Sequence, residues 1–340
     1  MLRFAVVGVG AIGSVIGWRL AHAGADVLLL GRGAHLQALQ SQGLRYSDGV
    51  VDERLPVQAV SDAAGQGPRD VVFITTKAQD IASALETAAP LIGPDTVLIP
   101  AVNGLPWWYF KGLEHRHGGP IEAVDPGGRL WQRYGAERII GAVVHLGASL
   151  PEPGWVRQAG DNRLTLGELS GQPSERLQAT AALLSQAGLP TRVHEAIRDE
   201  VWSKLIGNIS TNPLSVVFEA TLDRLFNEPE LLGLVRAVML EAMTVGACYG
   251  VRFALDPATR IDVGRRLGAF RTSMLQDFDR GRPLETGAIV GAVLELAERA
   301  EVPMPVTRQI LQQVQLARPG AHPQPTRTLK ALDSPRKDTR

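Results

Sequence analysis

Phe4-Ala5-Val6-Val7-Gly8-Val9-Gly10-Ala11-Ile12-Gly13 is an apolar run that ends in the spacing G-x-G-x-x-G. A helical pattern follows over 11–23 and a second apolar run over 26–30. The glycines therefore stand between a strand and a helix, inside a βαβ unit, which is the setting in which this string holds a dinucleotide. Gly8 permits the tight turn, Gly10 lets the backbone approach a pyrophosphate, and Gly13 lets helix and strand pack closely. The helix start at Ala11 and Ile12 offers free N–H groups and a partial positive charge to the phosphates. The alternative is an ordinary glycine-rich βα turn, and the strand–helix–strand context favours the nucleotide.

Outward from this unit the alternation continues. Residues 33–42 and 81–89 read as helices, and 70–75 and 96–100 as strands. Such alternation predicts an α/β Rossmann domain with a doubly wound, mostly parallel sheet. Over 107–137 the period is lost among Gly, Trp and charged residues, with one helix expected near 107–115. Structureless stretches of this length are uncommon in compact domains and are often lids or binding loops. Strands are expected at 139–149 and 163–168, around the turn Pro151-Glu152-Pro153-Gly154. The rest is helical in pattern: 174–187, 195–211, 229–249, 261–280, 284–300 and 306–316, punctuated by Pro213, Gly250, Gly281-Arg282-Pro283, Pro303 and Pro305. The expected organisation is a Rossmann-type domain over 1–194 with an irregular insertion at 107–137, an all-α domain over 195–318, and a flexible tail over 319–340, where large apolar residues are scarce.

The 45% hydrophobic content is enough for real cores in a chain of 340 residues, and the length favours two domains. The 35 basic and 35 acidic residues cancel, so there is no electrostatic footprint of a nucleic-acid binder and no reason to invoke a membrane surface. Cys248 has no partner cysteine in the chain, which rules out an intrachain disulfide and any cysteine-based metal site; no metal is expected. The start Met1-Leu2-Arg3 lacks the pattern of a secretory leader, and no uncharged apolar stretch of about 18 residues occurs. A cytoplasmic protein without a spanning helix is the expectation.

The end of the second strand discriminates between nicotinamide cofactors. An acidic residue there binds a ribose 2′-hydroxyl. This chain has Leu29-Leu30-Gly31-Arg32 instead, and a guanidinium can pair with a 2′-phosphate through two hydrogen bonds. NADP(H) is favoured over NAD(H), against the alternative that Arg32 is a solvated loop charge. Lys77 and Asn103 follow strands at the carboxyl edge, where ligands bind in open α/β sheets. Lys77 can reach a phosphate or the ribose, against the alternative of a solvated surface charge; Asn103-Gly104 reads equally as a ligand contact or as a plain turn.

Lys204, Asn208 and Asn212 fall at i, i+4 and i+8 on one face of a helix whose neighbours Val201, Trp202, Leu205, Ile206 and Ile209 are apolar. A buried ammonium and two amides need partners or a wet cavity, because leaving them unpaired costs several kcal/mol. A cavity for a polar substrate satisfies that, and a partly desolvated lysine becomes a usable general acid. A structural polar network with Lys204 paired to a carboxylate satisfies it equally well. Downstream, Ser273 and Asp277 lie four apart, and Glu285 opens the next helix.

These elements in this order resemble the ketopantoate reductase family over roughly 1–316. The matching strings are Gly8 to Gly13, Thr76-Lys77-Ala78, Val102-Asn103-Gly104, Trp202-Ser203-Lys204-Leu205, Asn208, Asn212-Pro213-Leu214, Ser273-Met274-Leu275-Gln276-Asp277 and Glu285. The resemblance implies NADPH-dependent reduction of a 2-keto acid, ketopantoate, to pantoate on the route to pantothenate and coenzyme A. It implies Lys204 as general acid, Glu285 as the carboxylate that binds the substrate hydroxyl and supports the lysine's charge, and Asn103, Asn208, Asn212 and Ser273 as substrate contacts. Gly8, Gly10, Ala11, Ile12, Gly13, Arg32, Lys77 and Asn103 are the expected cofactor contacts. Helical C-terminal domains in such enzymes often pair, so a homodimer is one expected state. The chain departs from the family's Glu-x-Asp-x-x-Asn-Gly pattern at Gly287 and Val290, and its 107–137 segment is longer than usual. Both departures bear on which 2-oxo acid, or which bulkier ketone, is reduced. A non-catalytic NADPH-binding protein is the rival of another class.

Overall fold

Val6 and Val7, with their neighbours, form β1 (Arg3–Val7), the middle strand of a five-stranded parallel sheet. The computed structural model describes residues 2–318 of the chain; the tail expected over 319–340 lies outside the described residues. Contacts divide the chain into two compact units. Unit 1 comprises the residues up to Glu114 with Gly118–Pro120 and Val124–Val201; unit 2 comprises His115–His117, Ile121–Ala123 and the residues from Trp202 onward.

Unit 1 begins with β1, α1 (Ala11–His22), β2 (Asp26–Leu30), α2 (Gly33–Gln42), β3 (Leu44–Ser47), β4 (Asp52–Leu55) and β5 (Gln58–Val60). It continues with β6 (Val71–Ile74), α3 (Ile81–Thr87), β7 (Val97–Pro100) and α4 (Arg129–Arg133), and closes with β8 (Ile140–Glu152), β9 (Trp155–Glu168), α5 (Glu175–Gln186) and β10 (Thr191–Val193). The first sheet runs β5-β2-β1-β6-β7, every pair parallel. β1, β2, β6 and β7 are buried along nearly their whole length, as befits a parallel sheet covered on both faces. The strand order reverses between β1 and β6, which places a switch point at the carboxyl end of β1.

A second, mixed sheet runs β10-β9-β3-β4, with β8 pairing antiparallel to β9. The alternation foretold neither β3, β4, β5 and β10 nor the full length of β9. These strands are short or polar, and Arg157, Gln158, Asp161 and Asn162 hide the strand period in β9; pairing with β8 supplies what local propensity lacks. Gly147 sits at the register shift in β8, where a Cβ would collide with the Ala159 carbonyl.

The segment expected to carry a helix over 107–115 is a run of turns instead. Trp107, Trp108, Tyr109 and Phe110 are all buried, so its aromatics are core. Arg198 holds this run with one guanidinium: it donates to the carbonyls of Tyr109 at 2.7 Å, Leu169 at 2.8 Å and Lys111 at 2.5 Å. The Lys111 ammonium in turn donates to the Trp131 carbonyl. Buried Asp125 caps α4, accepting from the N–H groups of Leu130 at 3.0 Å and Trp131 at 2.8 Å.

The helices that follow β10 are α6 (Ile197–Val217), α7 (Leu222–Asn227), α8 (Pro229–Cys248), α9 (Pro257–Arg265), α10 (Ser273–Asp279), α11 (Ala292–Arg299) and α12 (Pro305–Leu316). Pro213, expected to end its helix, lies inside α6. The hydroxyls of Ser210 and Thr211 donate back to carbonyls of the preceding turn, among them Ile206 and Gly207, in the part of the helix that leads to the proline. The single helix expected over 261–280 is two, α9 and α10, because Gly268 takes a left-handed conformation (φ 64°) and Thr272 caps a fresh start by accepting from Leu275 N–H. The helix expected from 284 begins as a π turn, Gly287–Gly291, before α11.

α8 is long and apolar enough to cross a membrane by length and composition, with a mean hydropathy of 1.7. Its buried face, from Leu231 through Val235, Val238, Met239 and Ala242 to Val245, packs within unit 2. The carboxylate of Glu241 accepts from the N–H groups of Val306 and Thr307, each at 2.9 Å, and so caps α12.

Candidate active site

The carboxyl edge of the parallel sheet is shaped by its glycines. Gly8 takes φ 94°, and a Cβ there would lie 2.5 Å from Thr76 Cγ2 and 2.7 Å from Thr76 N. At Gly13 a Cβ would lie 2.5 Å from the Gly8 carbonyl oxygen and 2.5 Å from Thr75 Oγ1, which itself donates to the Gly8 carbonyl at 2.7 Å. Both glycines are thus required by backbone packing across the switch point. Gly10 differs: a Cβ there would meet nothing within 4 Å, so the space above it is open to a ligand. No side chain caps α1, and its first turn carries no acidic residue. The N–H groups of Ala11, Ile12 and Gly13 have no partner inside the helix, the geometry that receives an anion. These features fit a dinucleotide's pyrophosphate.

Arg32 is the N-cap residue of α2, exposed, and among the described residues its guanidinium makes no hydrogen bond or ion pair. β2 ends at Leu30 and is followed by Gly31 and Arg32, so the chain places no carboxylate directly after the strand. Lys77 and Asn103 lie just beyond the carboxyl ends of β6 and β7, on the same edge as Gly8. Buried Ser14, one residue past the glycine string, meets His35 Nε2 at 3.1 Å, while His35 Nδ1 accepts from Gly154 N–H at 3.0 Å. That pairing puts the ring proton on Nε2 and ties α2 to α1 beside the phosphate edge.

In unit 2 the polar stripe of α6 is present as spaced. Lys204 and Asn208 are half-buried and Asn212 is buried. Burial lowers the Lys204 pKa to about 8, while the nearby Glu285 carboxylate raises it. Glu285 stands just ahead of the π turn. The Asn212 amide nitrogen is buried without a hydrogen-bond partner among the described residues, and an unmet buried donor marks where a polar ligand can bind. Ser273 is exposed at the start of α10; its neighbour Thr272 is buried, and the Thr272 and Ser215 hydroxyls meet at 2.6 Å, joining α10 to α6.

Two model matches decide the family: the ketopantoate reductase PanE/ApbA model covers residues 4–171, and its C-terminal counterpart covers 196–318. The chain belongs to the ketopantoate reductase family. A 2-dehydropantoate 2-reductase of Mesorhizobium japonicum is 40% identical over 91% of this chain and 96% of that protein. The crystal structure of a 2-dehydropantoate 2-reductase from Geobacter metallireducens superposes with a TM-score of 0.82 at 29% identity, covering 93% of this chain and 99% of that one. A D-mandelate dehydrogenase solved with NADH and anilino(oxo)acetate shares the fold at 20% identity, with a TM-score of 0.79 over 98% and 100% of the two chains. As a ketopantoate reductase family member the chain is a pyridine-nucleotide oxidoreductase that acts on a small molecule. It bears out both the α/β domain with its parallel sheet and the helical C-terminal domain expected from the sequence.

Several polar residues at this family site escape a reading by spacing. Arg260 on α9 donates to the Ser203 carbonyl at 2.6 Å and the Ser203 hydroxyl at 3.0 Å, gripping α6 next to Lys204. Glu295 on α11 accepts from the N–H groups of Glu122 and Ala123. Arg260 is 57 residues from Ser203 and Glu295 more than 170 from Glu122 and Ala123, separations that no local pattern spans. Gly287 and Val290 present no polar side chain, and Val290 is buried. Among the described residues, no cluster of His, Cys, Asp and Glu could hold a metal ion.

Proposed function

We propose that this chain catalyses the NADPH-dependent reduction of 2-dehydropantoate (ketopantoate) to pantoate, the step that feeds pantothenate and coenzyme A synthesis, in the cytoplasm. The observation that carries this is Lys204: an ammonium with its pKa brought down to about 8 by burial, next to the Glu285 carboxylate, on a stripe that includes the unpartnered amide nitrogen of Asn212. When bound, the reduced nicotinamide supplies the hydride. Lys204 holds a proton for the carbonyl oxygen, where negative charge develops, and stabilises that charge before giving the proton up. The product hydroxyl keeps the proton, and the neutral amine regains one from solvent. Glu285 keeps Lys204 protonated at neutral pH and accepts from the substrate hydroxyl. Asn208, Asn212, Ser273 and Asn103 orient the acid. The glycine edge with Ala11 and Ile12 binds the pyrophosphate, Lys77 the ribose or a phosphate, and Arg32 the 2′-phosphate.

A specific observation favours a second reading with the same chemistry on another 2-oxo acid: the turn after Glu285 offers Gly287 and buried Val290 where the family carries Asp and Asn. Steady-state assays with ketopantoate and with 3,3-dimethyl-2-oxobutanoate, which lacks only the hydroxyl, separate the two. A clear preference for ketopantoate supports the first reading, and equal efficiencies overturn it. In the same assay Arg32→Ala raises the KM for NADPH about tenfold or more, the worth of a charge-assisted bond, and leaves the KM for NADH unchanged. An equal effect on both cofactors would sink the assignment of Arg32.

A further inference from the structure

The segment between β7 and α4 sends two short pieces, His115–His117 and Ile121–Ala123, into unit 2. One carboxylate receives the second piece: Glu295 accepts from Glu122 N–H at 3.0 Å and from Ala123 N–H at 2.9 Å. Arg299 completes the clamp. It donates to Glu295 at 2.5 Å and to the His117 carbonyl at 3.3 Å, so both pieces are tied to α11. The His115 ring packs on Tyr249 with centroids 4.9 Å apart, and the Tyr249 hydroxyl donates to the Leu296 carbonyl at 2.8 Å.

Ala123, held in this way, is pressed against the turn that follows Glu285. A Cβ at Gly287 would lie 3.1 Å from the Ala123 carbonyl oxygen, and one at Gly291 would lie 3.6 Å from Ala123 Cβ. These glycines bound the π turn, and π turns carry an extra residue that re-aims the side chains around them. A side chain at 287 and the clamped segment compete for the same space. The glycine there is therefore explained by the strap, and the departure from the family's acidic residue has a structural cause.

We propose that the Glu295–Arg299 clamp is a positioning device: by wedging Ala123 against Gly287 and Gly291 it fixes the π turn and with it the place of Glu285 beside Lys204. The inference rests on the reading above, in which Lys204 is the proton donor and Glu285 its supporting carboxylate. Glu295 and Arg299 act through Glu285 and touch no reacting atom. Glu285 is the charge that raises the proton affinity of Lys204, and Arg260, one residue away at Ser203, is the cation on the neighbouring helix. Moving Glu285 away leaves burial, which lowers the pKa, less opposed. The protonated form of Lys204 is then lost at a lower pH.

The test is the pH profile of kcat/KM for ketopantoate with NADPH, measured on wild type, Lys204→Ala, Glu295→Gln, Gly287→Ala and the control Glu298→Gln, an exposed residue of α11 that pairs with Arg308. Wild type falls at alkaline pH as Lys204 deprotonates. In Glu295→Gln and Gly287→Ala the alkaline limb moves to lower pH by about half a unit, roughly threefold in proton affinity, with a raised KM for the keto acid and an unchanged KM for NADPH. Glu298→Gln keeps the wild-type limb. A wild-type limb in Gly287→Ala, or in Glu295→Gln when faster amide exchange at Glu122 and Ala123 shows that the strap has been released, overturns the inference and leaves the proposed function standing. Turnover in Lys204→Ala equal to wild type overturns the functional reading and this inference together. If Glu295→Gln does not fold, Gly287→Ala carries the test alone, since it leaves the clamp residues in place.

Discussion

Lys204 concentrates the chemistry proposed for this chain. Its pKa of about 8 reflects burial pulling it down and Glu285 pulling it up. Two consequences are measurable. Lys204→Ala lowers kcat by about 10²–10⁴-fold, the range for a lost general acid, and leaves NADPH binding by fluorescence titration unchanged. The wild-type efficiency falls as pH rises through about 8, because the protonated amine is the active form; a profile flat to pH 10 would contradict the role. The stripe that holds Lys204 was legible because helical spacing is a local property: i, i+4 and i+8 project to one face whatever the fold. Arg260 and Glu295 were not legible. Arg260 lies 57 residues from Ser203 and Glu295 more than 170 from Glu122 and Ala123, and the i, i+4 pair Glu295–Arg299 by itself reads as a solvated helix pair.

Among the elements, the turn from β1 into α1 was the most readable and its physics the most rigid. Gly13 cannot become alanine without pushing against the Gly8 carbonyl and Thr75 Oγ1. Gly13→Ala therefore separates β1 from α1, and the expected result is loss of NADPH binding together with a lower Tm by calorimetry. Gly10→Ala, whose Cβ meets open space, keeps its Tm and weakens the cofactor alone. If both variants lowered Tm equally, the division between a packing glycine and a ligand glycine would be wrong. Elements set by long-range pairing escaped local pattern. β9 is polar along half its length and is a strand because β8 lies beside it. α6 runs through Pro213, where a rule about local backbone donors predicted an end. The break between α9 and α10 had a signal in Gly268, whose left-handed backbone interrupts what otherwise reads as one apolar-periodic helix.

At the scale of the whole molecule, the stretch between β7 and β8 changes the expectation most. Its four successive aromatic residues, Trp107 to Phe110, are buried in unit 1. A disordered or lid-like loop would leave them in water, at a cost of about 1.5–3 kcal/mol for each large side chain. Arg198 holds the backbone of this stretch through the carbonyls of Tyr109 and Lys111 and ties it to the Leu169 carbonyl after β9. Lysine cannot reproduce that fork. Arg198→Lys leaves carbonyls without donors and destabilises unit 1 by about 1–3 kcal/mol, seen as a lower Tm and faster proteolysis between residues 107 and 114. An unchanged Tm would show that solvent replaces the guanidinium at no cost. The sequence could not reveal this packing, because a buried irregular segment has no period; only its aromatic content hinted that it had something to cover.

Cys248 is the single thiol of the chain, exposed, and next in sequence to the tyrosine on which the His115 ring rests. Nature has left one chemically addressable atom at the foot of the strap and no competing one elsewhere. A thiol-directed dye can therefore be placed there on the unmutated protein, as a spectroscopic gauge of whether that segment is seated.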